Sequence, residues 1–251
     1  MNSIILHVPH SALYIPEQER ARILLNDVEL RSALFNMTDW YTDVLYPTKV
    51  FKSVVSRVSR LVVDVERFRI DSQEPMSKVG QGGVYTHVND KLLREFDEQY
   101  REHLLRIYYD VHHSFFEQAV SQYLNEHDRC LIVDCHSYSG EFMTDKTEEE
   151  KPEICIGVDA FHTPRELVIA AKSYIENAGF TVGINTPFSG TIVPNSAYLK
   201  QKNVASIMLE IDRSVYMTQR YKSDEVDHVE AMCEKKHTFK IVASFLESLI
   251  E

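Results

Sequence analysis

A carboxylate and a histidine directly follow an apolar segment near the middle of the chain. The segment CLIV at 130–133 leads into DCHSYS at 134–139, which supplies Asp134, His136 and three hydroxyl groups. Open α/β sheets bind their ligands at the carboxyl ends of strands. We therefore interpret His136 as a metal ligand in a hydrolase. The alternative is a structural histidine that only forms hydrogen bonds.

Three further apolar segments lead into polar residues of the same kind. They are SIILHV at 3–8 before His10, RLVVD at 60–64 before Glu66 and Arg67, and SIML at 206–209 before Glu210. If these segments are strands of a parallel or mixed sheet, their ends can meet at one edge. For Glu66 and Arg67 the alternative is a local salt bridge on the surface. We interpret His7, inside the first segment, as structural.

These side-chain types suit hydrolysis at a metal ion. A catalytic zinc ion takes three nitrogen or oxygen ligands, keeps one position open for water and lowers the pKa of that water. A carboxylate that does not bind the metal moves the proton to the leaving amine, and an arginine binds a substrate carboxylate through paired hydrogen bonds. By type, His10 and His136 match the ligands, Glu210 matches the base and Arg67 matches the substrate-binding arginine.

Strands and helices are predicted to alternate around these residues. Apolar runs predict strands, and apolar residues that recur every three or four positions predict helices. We expect strands at 3–8, 130–134, 154–158, 180–184 and 204–211, and helices at 17–35, 38–46, 89–125, 163–178 and 224–249. Segment 52–65 is rich in β-branched residues, as strands are. Apolar strands separated by helices indicate an α/β sheet that is covered on both faces.

The longest predicted helix, 89–125, is expected to begin at a cap formed by Asn89 or Asp90. Its expected apolar face consists of Leu92, Leu93, Phe96, Tyr100, Leu104, Ile107, Val111, Phe115 and Val120. The sequence TPRE at 163–166 is expected to form a capping box at the start of the next helix. The acidic segment TDKTEEE at 144–150 is expected to be a solvated loop.

The composition limits the class of function. A chain of 251 residues with 44% hydrophobic residues predicts a single domain over 1–251, and a net charge of -11 argues against nucleic acid as a partner. The four cysteines, at 130, 135, 155 and 233, form no CxxC pair and predict buried, reduced thiols. We expect a cytoplasmic protein without a membrane partner, because no run resembles a signal peptide or reaches the length of a membrane span.

Seven short motifs resemble the N-formylglutamate amidohydrolase family. They are PHS at 9–11, TDW at 38–40, SRLVVDVER at 59–67, GVYT at 83–86, DCHS at 134–137, FSGTIVP at 188–194 and MLEIDRSVYM at 208–217. That family is related to the zinc carboxypeptidases, and HSYS, DVER and LEIDR are similar to their zinc-histidine, substrate-arginine and glutamate-base segments. The resemblance implies a three-layer α/β/α sandwich with a mixed central sheet. It also implies hydrolysis of an N-acyl amino acid such as N-formyl-L-glutamate.

The resemblance also implies which residues hold a metal. Zinc would be bound by His10 and His136, and Asp39 of the TDW motif is our choice for the acidic ligand. Asp134 is the competitor for that position. Its alternative role is to orient a ligand histidine, as carboxylates near zinc commonly do.

The same resemblance implies the roles of the remaining site residues. Glu210 would be the base that activates water, and Arg67 would bind the carboxylate of the amino acid. Arg60 and Arg213 are further candidates for binding a side-chain carboxylate. The implied partner is a small acyl amino acid, and the implied context is histidine degradation.

Two residues depart from the family pattern. Glu66 stands where asparagine is usual, and Ala12 replaces the glycine of PHSG. The negative charge of Glu66 would partly neutralise Arg67 and could repel an anionic substrate. Two alternatives therefore stay open. One is a carboxypeptidase-like zinc hydrolase of short peptides or other amino-acid conjugates, and the other is a non-catalytic relative with a binding role.

Overall fold

The computed structural model describes residues 4–88, 90–140, 151–218, 230–231 and 236–249. The strands are β1 (Ile4–Val8), β2 (Lys52–Val55), β3 (His87–Val88), β4 (Lys91–Leu92), β5 (Cys130–Tyr138), β6 (Ile154–Gly157), β7 (Val182–Ile184), β8 (Val204–Asp212), β9 (Met217–Thr218) and β10 (Glu230–Ala231). The α-helices are α1 (Glu17–Arg20), α2 (Asp27–Met37), α3 (Thr42–Leu45), α4 (Glu98–Leu104), α5 (Asp110–His127), α6 (Arg165–Asn177) and α7 (Lys236–Ser248). Short 3₁₀ turns occur at Asp71–Gln73, Pro75–Val79 and Arg213–Val215, and a π-helical turn occurs at Leu105–Tyr109.

Six of the described strands form a central sheet in the order β2-β1-β5-β8-β6-β7. Strands β1, β5 and β8 are parallel neighbours, β6 is antiparallel to β8, and β7 is parallel to β6. β5 and β8 are buried along nearly their whole length, which explains why their sequences are continuous apolar runs. Helices flank this sheet, so the predicted α/β class with a mixed central sheet is confirmed.

The chain divides into two compact units. The first unit contains the central sheet and consists of Met1–Val8, Trp40–Val54 and Phe116–Glu251. The second unit consists of Pro9–Asp39 and Val55–Phe115. The prediction of a single domain over the whole chain stays a prediction.

In the first unit, α5 packs on the central sheet. Its side chains Phe116, Ala119 and Val120 belong to one buried cluster with Ile5 of β1 and Ile132 of β5. The spacing of three or four residues places these α5 side chains on one helical face. α7 contacts both α6 and α3.

The second unit has apolar clusters of its own. One is built around buried residues of the α2 region and the segments near β3 and β4, which are Ile23, Leu25, Leu30, Ala33, Leu61, Tyr85, Val88 and Leu93. The other joins the segment 58–65 to the helical residues Leu104, Leu105 and Tyr109. The second unit therefore buries apolar side chains without using a large sheet.

The segment RLVVD at 60–64 is not a strand, contrary to the prediction. Its backbone forms turn hydrogen bonds such as Val62 N to Ser59 O at 2.8 Å. The guanidinium of Arg94 donates hydrogen bonds to the carbonyl oxygens of Leu61 and Val62, where a neighbouring strand would otherwise do so. The β-branched side chains of this segment are buried all the same, because they form the cluster with Leu104.

The longest predicted helix begins later than expected. Helical structure starts at Glu98, and the side chain of Asp97 accepts a hydrogen bond from Tyr100 N at 3.0 Å. The predicted cap at Asp90 is therefore wrong, because Asp90 has a positive φ of 61° and precedes the strand β4. Asn89, the other predicted cap, lies outside the described residues.

The π-helical turn changes which face of this helix is buried. Such a turn adds one residue to the helical repeat, so every later side chain moves by one position relative to an unbroken helix. Val111 and Phe115 were predicted to be buried, but they are 46% and 51% exposed. Their following residues, His112 and Phe116, are buried instead. The prediction of the apolar face is correct at Leu93, Leu104 and Val120 and wrong at these two positions. It is also wrong at Leu92 and Phe96, which are exposed.

The remaining helix predictions need three corrections at their ends. Region 17–35 contains two helices, and the second starts at a capping box in which Asn26 and Glu29 bond to each other's backbone N–H groups. TPRE is not a capping box, because the hydroxyl of Thr163 donates to Ser206 O at 2.6 Å. Region 38–46 shortens to α3.

The carboxyl-terminal helix also starts later than 224, since residues 230–231 form β10. Residues 219–229 and 232–235, and the acidic segment 144–150, lie outside the described part of the chain. Within the described residues, none of the helices combines the length and the apolar character needed to cross a bilayer.

Candidate active site

In the first unit, His136 and Asp134 lie on the same face of β5. Residues two apart on a strand point the same way, and His136 Nε2 is 3.1 Å from Asp134 Oδ1. Both side chains are buried. His136 lies inside the strand, which continues to Tyr138, and not beyond its end as the sequence suggested.

Asp134 has two further hydrogen-bonding partners in the first unit. His7 Nδ1 is 3.0 Å from the same carboxylate oxygen, and Ile192 N donates to the other oxygen at 3.3 Å. The ring of His7 stacks on Phe116 with a centroid separation of 4.8 Å. Asp134 is therefore fixed from three sides, and this arrangement fits the prediction that His7 is structural.

Glu210 lies opposite His136 in the central sheet. The parallel register of β5 and β8 pairs the two residues directly, and on its other side Glu210 pairs with Cys155 of β6. Paired residues of neighbouring strands point to the same face and are within side-chain reach of each other. The hydroxyl of Tyr46 lies 3.2 Å from His136 O and 2.7 Å from Leu209 O, so it ties the two strands together beside the pair.

In the second unit, His10 contacts two carboxylates. His10 Nε2 is 2.8 Å from Asp64 Oδ1, and His10 Nδ1 is 3.7 Å from Asp39 Oδ2. The backbone N–H of Asp39 also donates to His10 O at 3.0 Å, which holds the TDW and PHS motifs together. All three side chains are buried.

Asp64 is the centre of this part of the second unit. Arg60 donates to Asp64 Oδ2 from Nε at 3.2 Å and from Nη2 at 2.7 Å, Arg67 Nε is 3.5 Å away, and the Tyr85 hydroxyl donates to the same oxygen. Burial by itself raises the pKa of a carboxyl group, but Arg60, His10 and Arg67 hold the pKa of Asp64 well below its usual range. Asp64 is therefore a charged group at neutral pH, although it is fully buried.

No role was predicted for Asp64 from the sequence, although it belongs to the DVER motif. Two signals could have identified it. A carboxylate inside the apolar run VVDV requires a compensating charge if it is buried, and Arg60 and Arg67 stand four residues before it and three residues after it.

The predicted site residues divide between the units. The second unit holds His10, Asp39, Arg60 and Arg67, which gather around Asp64 and its bond to His10. The first unit holds His136 and Glu210, which are paired in the sheet, and the buried Arg213, which starts the 3₁₀ turn after β8. Among the described residues there are thus groups of buried histidines and carboxylates of the kind that can hold a metal ion.

The fold is shared with two bacterial proteins of known structure. N-formylglutamate amidohydrolase from Ralstonia eutropha JMP134 superposes with a TM-score of 0.77 at 16% identity, over 100% of this chain and 95% of that chain. Gene product Atu2144 from Agrobacterium tumefaciens superposes with a TM-score of 0.64 at 17% identity, over 100% of this chain and 92% of that chain. At such low identity these likenesses establish the α/β fold.

The family assignment comes from the sequence. The family model for N-formylglutamate amidohydrolase matches residues 2–217. The chain belongs to this amidohydrolase family, and the resemblance drawn from the seven motifs is confirmed. A comparison with curated proteins gave no significant match.

Proposed function

We propose that this protein is a zinc-dependent hydrolase that cleaves the amide bond of an N-acyl amino acid, with N-formyl-L-glutamate as the first candidate. Membership of the amidohydrolase family supports the reaction class. The Ralstonia protein with the same fold is itself an N-formylglutamate amidohydrolase, which supports the choice of substrate.

The observation that carries the proposal is that each ligand histidine is held by a buried aspartate. His10 bonds to Asp64 and His136 bonds to Asp134, in both cases through Nε2. Histidines that bind zinc usually give their other ring N–H to a carboxylate in this way, which fixes the tautomer and orients the lone pair. With Nε2 engaged, Nδ1 is the atom that would bind a metal.

The donor set fits zinc. We assign His10, His136 and Asp39 as the ligands, because imidazole nitrogens and one carboxylate oxygen make up a common catalytic zinc site. His10 Nδ1 and Asp39 Oδ2 are too far apart for a hydrogen bond at 3.7 Å, and two ligands of one tetrahedral zinc ion have a similar separation. Zinc bound there would lower the pKa of a water molecule and polarise the acyl carbonyl.

The other site residues have roles that follow from their charge. Glu210 takes the proton of the attacking water and returns it to the nitrogen of the leaving amine as the carbon–nitrogen bond breaks. Arg67 binds the amino-acid carboxylate through paired hydrogen bonds. Arg60 and Arg213 are further candidates for a second substrate carboxylate. Two nitrogen atoms of Arg60 bind Asp64.

The first experiment measures bound metal and activity in the same preparation. We expect elemental analysis to find stoichiometric zinc, and we expect formate release from N-formyl-L-glutamate to stop after chelation and return on adding zinc. His136→Asn should lose both metal and activity. His162→Asn is the matched control, because His162 is a buried histidine of the same unit whose nitrogens bond to Val204 O and Leu199 N. Full activity in His136→Asn would contradict the proposal.

We also propose that the protein works on a small molecule in the cytoplasm. The buried thiols of Cys130 and Cys155 are free, as is usual in a reducing compartment. Cys233 lies outside the described residues.

A further inference from the structure

The helix that runs from Glu98 to His127 contains a π-helical turn, and this turn decides which side chains meet the DVER segment. Leu105–Tyr109 form hydrogen bonds over five residues, which adds one residue to the repeat. From the last residue of the turn onward, the first buried positions are Tyr109, His112 and Phe116. An unbroken α-helix would place Tyr108, Val111 and Phe115 there.

The last residue of this turn and a residue one helical turn later bind backbone oxygens on either side of Glu66. The hydroxyl of Tyr109 donates to Arg67 O at 2.9 Å, and His113 Nε2 is 2.8 Å from Val65 O. The rings of Tyr109 and His113 contact each other at a tilt of 30° with centroids 4.2 Å apart, as residues four apart on a helix can. The neighbouring Tyr108 has a different partner, since its hydroxyl lies 3.3 Å from Glu19 Oε1.

The segment held by these bonds is a turn. Its backbone is also held at Asp64, whose N–H donates to Gly83 O at 2.9 Å, and the bond from Arg67 N to Asp64 O within it is long at 3.4 Å. The backbone N–H of Glu66 donates to Asp64 Oδ1 at 3.0 Å. The side chain of Arg67 is a quarter exposed, so its guanidinium can reach a ligand while the Tyr109 hydroxyl holds its backbone oxygen.

We propose that the π-helical turn has a positioning role in substrate binding, because it presents Tyr109 and His113 to the DVER segment and thereby fixes Arg67. This inference rests on the proposed role of Arg67 in binding a substrate carboxylate. π-helical turns are rare and are frequently found at functional sites, where they aim side chains that an α-helix would direct elsewhere. Burial raises the pKa of Tyr109 to about 12, so its hydroxyl keeps its proton and donates at neutral pH.

The test compares two adjacent tyrosines. Tyr109→Phe removes the hydrogen bond to Arg67 O and keeps the ring, whereas Tyr108→Phe removes a hydroxyl that contacts Glu19 instead. We expect Tyr109→Phe to raise the KM for N-formyl-L-glutamate about fivefold, with kcat nearly unchanged, because one hydrogen bond has about that effect. Tyr108→Phe should leave both constants unchanged. His113→Gln, which can keep a donor near Val65 O, should behave more like the parent than His113→Phe does.

Arg67→Ala separates this inference from the proposed function. If Tyr109 acts through Arg67, the double variant Tyr109→Phe/Arg67→Ala should have the KM of Arg67→Ala alone. The effects of two coupled residues are not additive. A KM that rises in Arg67→Ala but not in Tyr109→Phe would overturn the positioning role and leave the role of Arg67 intact. A KM that is unchanged in Arg67→Ala would overturn both. A fall in thermal stability of Tyr109→Phe without any change in KM would show that the bond is only structural, and it would also overturn the inference.

Discussion

His136 and Glu210 occupy paired positions on the parallel strands β5 and β8 at the centre of the sheet. Their separation is therefore set by strand geometry and by the Tyr46 hydroxyl beside them, and not by flexible loops. Sites built on strands hold their side chains more precisely than sites built on loops. A proposed metal ligand and a proposed base are thus fixed side by side.

The pairing predicts the effect of removing the base. Glu210→Gln keeps the size of the side chain and removes its ability to accept a proton. We expect kcat to fall by about 10²–10⁴, the usual contribution of a general base, while zinc content stays the same. Rates of formate release and elemental analysis of the same samples check this. Glu117→Gln, on α5, is the control, and activity within twofold of the parent in Glu210→Gln would contradict the assigned role.

We predict that replacing Asp134 lowers the metal affinity, although Asp134 does not contact the metal in the proposed site. Asp134→Asn weakens the bond that orients His136, and losing such a partner typically lowers metal affinity about 10–100-fold. Competition against a chromophoric chelator measures this affinity. Asp128→Asn is a suitable control because Asp128 is exposed and asparagine tolerates its positive φ of 60°. If the two variants bind zinc equally well, Asp134 does not support the ligand.

We predict that replacing Asp64 strongly lowers the stability of the folded protein. Asp64→Asn removes the buried negative charge that the partly buried Arg60 and the buried His10 share, and breaking such a pair costs about 3–5 kcal/mol. Urea unfolding of the metal-free protein should show this loss, and using the metal-free protein keeps zinc binding out of the measurement. Asp27→Asn breaks only the exposed pair with Arg20 and should change stability by less than about 1 kcal/mol. Equal midpoints for the two variants would contradict the central role of Asp64.

Much of the sheet could be predicted from the sequence, because strands buried on both faces must be apolar along their length. β5 and β8 satisfy this rule, and they contain the predicted His136 and Glu210. The pairing of these two residues could not be predicted, since the register between distant strands depends on the whole sheet. The polar residues that follow each apolar run therefore indicated candidate site residues but not their neighbours.

The structural predictions are wrong where a local sequence pattern is compatible with two different structures. RLVVD has the composition of a strand, but the side chain of Arg94 satisfies its carbonyl groups and allows a buried turn. In the long helix, Leu104 and Leu105 are adjacent and both buried, so the sequence is compatible with two helical faces. Periodicity alone did not reveal the π-helical turn that selects the second face.

The charge of Glu66 leads us to predict that replacing this residue shifts the substrate preference. Its carboxylate follows Asp64 and precedes Arg67, so it adds negative charge where we place the substrate carboxylate. Glu66→Asn should raise kcat/KM for N-formyl-L-glutamate about fivefold, because the measured interaction of a solvent-accessible charge pair is at most about 1 kcal/mol. The α-amide of N-formyl-L-glutamate, which lacks the carboxylate that we place at Arg67, serves as the control substrate and should gain less. An equal gain for both substrates would mean that Glu66 does not select by charge.

The buried thiol of Cys130 leads us to predict a loss of stability at high pH. Burial raises the pKa of its thiol to about 12, whereas an unfolded cysteine titrates near about 8.5. The stabilisation by this group is therefore complete below about pH 8.5, and it is lost as the pH rises towards the folded pKa, by at most about 1.4 kcal/mol per pH unit. Unfolding free energies measured from pH 8 to pH 11 should decline less steeply in Cys130→Ala than in the parent. Identical slopes, or rapid alkylation of Cys130 in the native protein as mapped by mass spectrometry, would contradict the buried, neutral thiol.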